Sequence, residues 1–398
     1  MAMSFYQTSA GSPVSMHRSR FLYILIATIV VFSVFFYSPL PDSVDHHRDA
    51  LVQQLANTAK LGDFGNHTTP DKPVDSKSGH YVPTGLDDVK SQYAFATFLS
   101  GSSTDPNDHD PSHDPYFQAT RILSYQLLHA PETRSKNASI PFIVLVTKDV
   151  PEEKRSRLRK DGAHVVPVTY LTADWITTDY PAWRDVLTKL RLWELTQFER
   201  VCFLDGDTIL TGPLDDVFDD PAVHLHHTGT DNKAIKSDEA PLPRNYSFAG
   251  VPESKPIHKY PPTDENHDYP NINYLNSGFF VYKPSLDVEN YYISLMNIPD
   301  RFNPELPEQN LFNYAHRREG NMPWTQLANT WNIHYPSIED LNGGVRTLHE
   351  KWWAPVNEGL RPYLESWRWR MEGFHEARDS VLEQQKAKGG FRDFRWSD

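Results

Sequence analysis

One cysteine, Cys202, occurs in 398 residues, so no intramolecular disulfide is available. That excludes a small disulfide-stapled secreted module, while a large lumenal domain stays open. Set among alternating apolar neighbours, Cys202 reads as a buried core thiol rather than a nucleophile. An excess of basic charge is also missing. The chain carries 39 Lys and Arg against 52 Asp and Glu, a formal charge of −13. It therefore lacks the basic footprint of a general nucleic-acid binder. No internal repeat is present.

What is present suffices for a sizeable core, with 39% apolar and 13% aromatic residues. The length suggests one large domain or two smaller ones. Ten tryptophans and nineteen tyrosines are compatible with a sugar-handling site, because flat rings cover sugar C–H faces. They also serve simply to fill cores.

Residues 21–37, FLYILIATIVVFSVFFY, contain no charged side chain. As a helix they span roughly 25 Å, enough for a thin membrane with some flanking help. His17, Arg18 and Arg20 precede the run, and Asp42, Asp45 and Asp49 follow it. This charge order keeps the short N-terminus cytoplasmic and sends the bulk of the chain into a lumen. A cleaved signal peptide is the competing reading, but Tyr37-Ser38-Pro39 is a poor small-residue cleavage site. The expected organisation is a cytoplasmic tail (1–20), a transmembrane signal anchor (21–38) and a polar stem (39–90). A catalytic domain (91–375) and a helical tail (376–398) complete it. N-x-S/T triplets at Asn66, Asn137 and Asn245 are consistent with a lumenal domain.

Globular character begins at YAFATFLSG (93–101), a candidate first strand. The acid- and His-rich TDPNDHDPSHD (104–114) reads as a solvated loop, and Tyr116 opens a helix-like segment. PFIVLVT (141–147) is a continuous apolar run suited to a strand buried on both faces. PEEKRSRLRKDG is a charged helix ending at Gly162. HVVPVTYL is a further apolar run, and DVLTKLRLWELTQF (185–198) has apolar residues at helical spacing. VCFLDGDTIL (201–210) closes the series. Strands alternating with helices predict an α/β fold with a mostly parallel sheet. Residues 228–272 form a long polar, proline-rich excursion, after which INYLNSGFFVYKPS (272–285) resumes order. The terminal WRWR segment reads as part of a packed, charged helix.

Asp205 and Asp207 stand at the end of an apolar strand, where open α/β sheets bind ligands. Two carboxylates there repel unless something positive lies between them. Mg²⁺ or Mn²⁺, its shell completed by diphosphate oxygens, is one answer, and Gly206 permits a tight turn beneath a ligand. An Asp-rich turn with no ligand is the other. A phosphatase of the haloacid dehalogenase type also places Asp-x-Asp after a strand, with one carboxylate as nucleophile. Its D-x-D-G-T order differs from D-G-D-T here.

LTKLRLWELTQFERVCFLDGDTILTGPLDDVF (187–218) resembles the central segment of glycosyltransferase family 8, the glycogenin-like enzymes. LNSGFFVYKPS (275–285), PEQNLFNYA (307–315) and HEKWW (349–353) resemble that family's later blocks, in the same order, over roughly residues 91–355. With its N-terminal anchor, the chain also resembles fungal Golgi members, some of them N-acetylglucosaminyltransferases. The resemblance implies a GT-A-like nucleotide-diphospho-sugar transferase fold. It implies a retaining transfer from a UDP-sugar to a glycan acceptor such as an N-glycan or mannan side chain. Asp205, Asp207 and His349 would ligate Mn²⁺. Lys189 would contact the donor sugar or the surroundings of Asp205. Asn276, Glu308 and Gln309 would border the sugar ring and reaction centre. Ala96 and Thr97 would begin the nucleotide pocket, Tyr116 would stack on uracil, and Lys351 would neutralise the leaving phosphate. Two features depart from the family pattern. Glu308 stands where aspartate is usual, and the glycine usual between the late histidine and lysine is absent. A catalytically silent glycan-binding Golgi protein is the third class of reading.

Overall fold

The computed structural model describes Leu86 and residues 89–101, 113–176 and 185–387. The expected tail and anchor, and nearly all of the stem, lie outside the described residues, as does most of the acid- and His-rich loop. Among the described residues no helix is long and apolar enough to cross a membrane.

The four apolar runs become β1 (Tyr93–Leu99), β2 (Phe142–Val146), β3 (His164–Pro167) and β4 (Arg200–Leu204). They lie side by side in the order β4-β1-β2-β3, every pair parallel. Alternation along each strand splits its side chains between two cores. Ala94, Ala96, Ile143, Leu145, Val201 and Phe203 face one cluster. Phe95, Leu99, Phe142, Val144, Cys202 and Leu204 face the other. Burial on both faces explains why these runs are continuously apolar. Cys202 is fully buried, as a core thiol should be.

VCFLDGDTIL is not one strand. β4 stops at Leu204, and β5 (Thr208–Leu210) starts a separate three-stranded sheet with two strands from the later chain. The DGD triplet is the corner between two sheets. Between residues 228 and 272 the polar excursion is interrupted by structure. β6 (His226–His227) pairs with β7 (Asn245–Tyr246), and β8 (Phe248–Pro252) is a buried strand of the main sheet. The expectation of one long excursion fails at β8. Its run is short and carries Gly250 and Pro252, so the surrounding polar composition conceals it. β9 (Leu275–Tyr282) runs antiparallel to both β4 and β8, and β10 (Thr325–Gln326) closes the edge beside β8. β9 alone opposes an otherwise parallel sheet. β11 (Ile333–His334) and β12 (Thr347–His349) complete the second sheet.

Helix α1 (Pro115–Leu128) is capped by Asp114, whose carboxylate accepts from the Tyr116 and Phe117 amides at 3.1 and 3.0 Å. Helix α2 (Glu152–Asp161) ends at Gly162, where φ is 110°. Both pack on one face of the sheet. The other face takes α3 (Leu286–Met296), α4 (Pro307–Ala315) and the segment 186–194. That last segment is a 3-10 helix rather than an α-helix. Leu187, Leu190 and Trp193 recur every third residue, the spacing that a 3-10 helix eclipses, and all three enter the core. The short helix α5 (Ile338–Gly343) carries a reciprocal Ser337–Asp340 capping box.

Helix α6 (Arg361–Ala387) runs without a break through residue 375, so the expected boundary between domain and tail falls inside one helix. Trp367 and Met371 pack against Ile122 and Tyr125 of α1. Of the WRWR segment, Trp367 is buried and Trp369 is 61% exposed, so it is a packed face on one side only.

Candidate active site

The corner after β4 is built from backbone hydrogen bonds to two other strands. The Asp205 amide donates to Gly278 O of β9 at 2.8 Å, and the Thr208 amide closes the turn on Asp205 O at 3.1 Å. The Glu350 amide donates to Asp207 O at 3.0 Å. Register in the second sheet sets Thr208 opposite His349. Residues distant in sequence are thereby held around one pair of aspartates.

The positive partner required by those aspartates is supplied by the chain itself. Lys189 Nζ lies 2.7 Å from Asp205 Oδ1 and 2.9 Å from Glu308 Oε1. His349 Nε2 is 3.3 Å from Asp207 Oδ1 and 3.8 Å from Asp205 Oδ2. Lys351 Nζ is 3.4 Å from Asp207 Oδ2, with its side chain 44% exposed. The shortened spacing in HEKWW does not prevent Lys351 from reaching the cluster.

Burial opposes charge on Asp207, but the hydrogen bond and charge of His349, joined by Lys351, hold its carboxyl far below the usual range. Burial also opposes charge on His349, and the bond to Asp207 overrides it and raises the imidazole pKa. Lys189 follows the same logic. Its burial is outweighed by Asp205 and Glu308, and its pKa rises. For Lys351 the Asp207 charge is the leading cause of a raised pKa. The site is a network of alternating charges.

A ligand atom from each of Asp205, Asp207 and His349 lies within 4.8 Å of the others, so these three could hold a metal ion. Two carboxylate oxygens and an imidazole nitrogen make a donor set that a divalent metal ion could occupy. The His349 ring owes its position to Gly278. A Cβ at that residue would stand 2.0 Å from His349 Cε1, so only glycine admits the imidazole here.

Asn276 Oδ1 accepts from the Gly278 amide at 2.9 Å, and its Nδ2 donates to Glu253 Oε2 at 2.8 Å. Gln309 Oε1 accepts from the Ser277 amide at 2.9 Å and from the Ser277 hydroxyl at 3.1 Å. The same hydroxyl is 3.4 Å from Glu308 Oε1. Lys189, Asn276, Glu308 and Gln309 are therefore gathered with the aspartates. Tyr116 packs edge-on against Trp353 with ring centroids 5.0 Å apart. Burial raises its hydroxyl pKa, Lys351 lowers it and Asp207 adds to the rise, placing the ring at the edge of the cluster. Gly206 faces α1, where a Cβ would meet Thr120 Oγ1 at 3.3 Å. Ala96 and Thr97 are completely buried within the sheet and offer no side-chain surface to a nucleotide.

Three neighbouring residues escaped the sequence reading. Glu253 follows β8, itself hidden in the polar excursion, and His334 hydrogen-bonds to it through Nδ1. The His334 ring lies 4.8 Å from that of His349. Ser277, between Asn276 and Gly278, links β9 to Glu308 and Gln309. Only the LNSG motif pointed toward any of them.

No protein-family model matches the chain. Galactinol synthase 1 of Solanum lycopersicum is 25% identical over 327 residues, 75% of this chain and 89% of that protein. This likeness supports a glycosyltransferase. The chain belongs to the same family as an uncharacterized protein of Schizosaccharomyces pombe. The two are 31% identical over 309 residues, 71% of this chain and 77% of that protein. Among solved structures, mouse xyloside xylosyltransferase 1 in its apo form aligns with 66% of this chain and 99% of its own. Its TM-score is 0.39 and its identity 12%.

Proposed function

We propose that the chain is a retaining glycosyltransferase, dependent on Mn²⁺ or Mg²⁺, that transfers GlcNAc or glucose from a UDP-sugar to a glycan hydroxyl. The observation that carries this reading is the Asp205–Asp207–His349 donor set, with Lys351 at its exposed edge and Lys189 buried behind it. The galactinol synthase relatives and the resemblance to glycosyltransferase family 8 support it. The acceptor is a glycan such as an N-glycan or mannan side chain. The location is the Golgi lumen, with a single N-terminal anchor.

Asp205, Asp207 and His349 hold the divalent cation, which when bound supplies Lewis-acid stabilisation of the diphosphate. Lys189, shared between Asp205 and Glu308, holds the Asp205 carboxylate in place. Lys351, with its exposed stem, moves its charge onto the departing phosphate. Gln309, pinned through its carbonyl oxygen to Ser277, presents its amide to the sugar, while Asn276, its amide held by Glu253, fixes the Gly278 backbone beside it. The acceptor hydroxyl attacks the anomeric carbon on the face from which UDP leaves. The C–O bond to phosphate breaks, a new glycosidic C–O bond forms, and the hydroxyl proton passes to the departing diphosphate. No side chain here is assigned as a nucleophile.

The test is a thermal-shift screen of UDP-sugars with Mn²⁺, paired with turnover of the best donor. Stabilisation and donor hydrolysis by the native chain, both lost in Asp207→Ala with the fold intact, are expected. Release of phosphate from simple esters without a nucleotide sugar would favour the phosphatase reading instead. Turnover surviving in Asp205→Ala/Asp207→Ala sinks the proposal.

A further inference from the structure

Immediately after β11, Tyr335 adopts φ of 57°, left-handed backbone that a bulky side chain rarely takes. Such a conformation persists only where its surroundings over-determine it. Here they do so on both sides. The preceding residue, His334, accepts from the Ser254 hydroxyl through its carbonyl and bonds to Glu253 through its ring. Glu253 in turn accepts from Asn276. On the other side, Ser337 caps α5, and its partner Asp340 also pairs with His258 at 2.9 Å. The polar excursion thus supplies Glu253, Ser254 and His258 as clamps on a single strained residue.

The clamp orients an aromatic ring. Tyr335 lies on His334 with ring centroids 3.7 Å apart and planes 25° from parallel. His334 stands 4.8 Å from His349, so a stack of rings leads outward from the aspartate cluster to Tyr335. Tyr335 is only half-buried, and no ring among the described residues covers its other face. Burial raises its hydroxyl pKa, with Glu253 adding and Lys351 opposing, so the ring sits among the charges of the site. A tyrosine needed merely to fill the core would not require this backbone.

We propose that Tyr335 is a sugar-stacking platform, its half-buried ring receiving the C–H face of a pyranose beside the Asp205–Asp207–His349 cluster. Planar rings supply such contact area at low entropic cost, and strain fixes the ring before the sugar arrives. This rests on the glycosyltransferase reading and adds a saccharide subsite to it. The sugar belongs either to the donor or to the acceptor.

Full-length Tyr335→Phe, Tyr335→Ala and Tyr335→Gly variants separate these cases. Glycine relieves the left-handed strain, so its melting temperature should not fall below that of the alanine variant. The first arm measures hydrolysis of UDP-glucose, UDP-galactose and UDP-GlcNAc into water with Mn²⁺. The second measures binding of methyl α-mannoside, methyl β-galactoside and methyl β-N-acetylglucosaminide by saturation-transfer NMR with UDP and Mg²⁺. In one arm the alanine and glycine variants should raise KM or Kd about three- to tenfold, with kcat changing less and phenylalanine within about twofold of native. A loss in the first arm assigns the donor sugar, and a loss confined to the second assigns the acceptor. The proposal is overturned if no sugar in either arm depends on the ring, or if Tyr335→Phe loses as much as Tyr335→Ala. A native chain inert toward every UDP-sugar overturns the glycosyltransferase reading, and the platform with it. That outcome differs from hydrolysis that ignores the ring.

Discussion

Replacing Gly278 with alanine tests whether one missing side chain positions the proposed metal ligand. The added Cβ would stand 2.0 Å from His349 Cε1 and 2.5 Å from Nδ1. Ordinary contact needs more than 3.4 Å, so the ring must retreat by roughly 1–1.5 Å or the two strands must part. Overpacking of this kind costs about 1–3 kcal/mol. His349 Nε2 is 3.3 Å from Asp207 Oδ1, and a retreat of that size breaks their contact. Gly278→Ala should therefore unfold at lower urea concentration and lose most of the stabilisation that Mn²⁺ with UDP confers. A double-mutant cycle checks the cause, because His349→Ala removes the ring that collides. In that background the alanine at 278 should cost less than about 0.5 kcal/mol. An equal cost in both backgrounds would refute the steric argument.

Three further outcomes are expected. Lys189→Met leaves the buried Glu308 and the half-buried Asp205 without their shared cation and should cost about 3 kcal/mol in urea unfolding. A cost below about 1 kcal/mol would mean that water or another cation replaces the ammonium. His316 is buried, accepts from the Tyr292 hydroxyl and donates to Met322 O, and burial lowers its pKa to about 4. Between pH 6.5 and about 4 the unfolded chain takes up a proton that the folded chain refuses. Stability present above pH 6.5 is lost over that window, by about 3 kcal/mol. The stability difference between native protein and His316→Gln should change with pH over that range, and a constant difference would contradict it. On a secretory-pathway host, Asn137 is exposed in its sequon, whereas Ser247 of the Asn245 sequon is buried and bonded to Val223 O. Asn137→Gln should raise electrophoretic mobility and Asn245→Gln should not, which mass spectrometry of the glycopeptides checks.

The apolar runs 93–99, 142–146 and 200–204 disclosed a buried parallel sheet, because strands covered on both faces have no polar alternation to hide them. Asp205 and Asp207 likewise announced a site, since two carboxylates at a strand end require a compensating charge wherever the chain goes. Lys189, Asn276, Gln309 and His349 were reached through resemblance in short blocks, and the fold brings those blocks to one corner. The nature of the compensating charge was another matter. Lys189, His349 and Lys351 approach the pair only through the antiparallel strand β9 and the register of β12. Those pairings join residues far apart in the chain, and no local pattern encodes them. β8 was missed for a related reason. Its buried run is too short to stand out from the proline-rich residues around it, and pairing with β9 stabilises it. Glu253 follows that hidden strand, whereas His334 and the left-handed Tyr335 lie at the end of β11 and just beyond it. The sequence by itself determined which residues must be buried and where charge needed an answer. Only the tertiary structure decided which side chains meet, because hydrogen-bond register and close approach, as at Gly278, are properties of paired strands rather than of either strand alone.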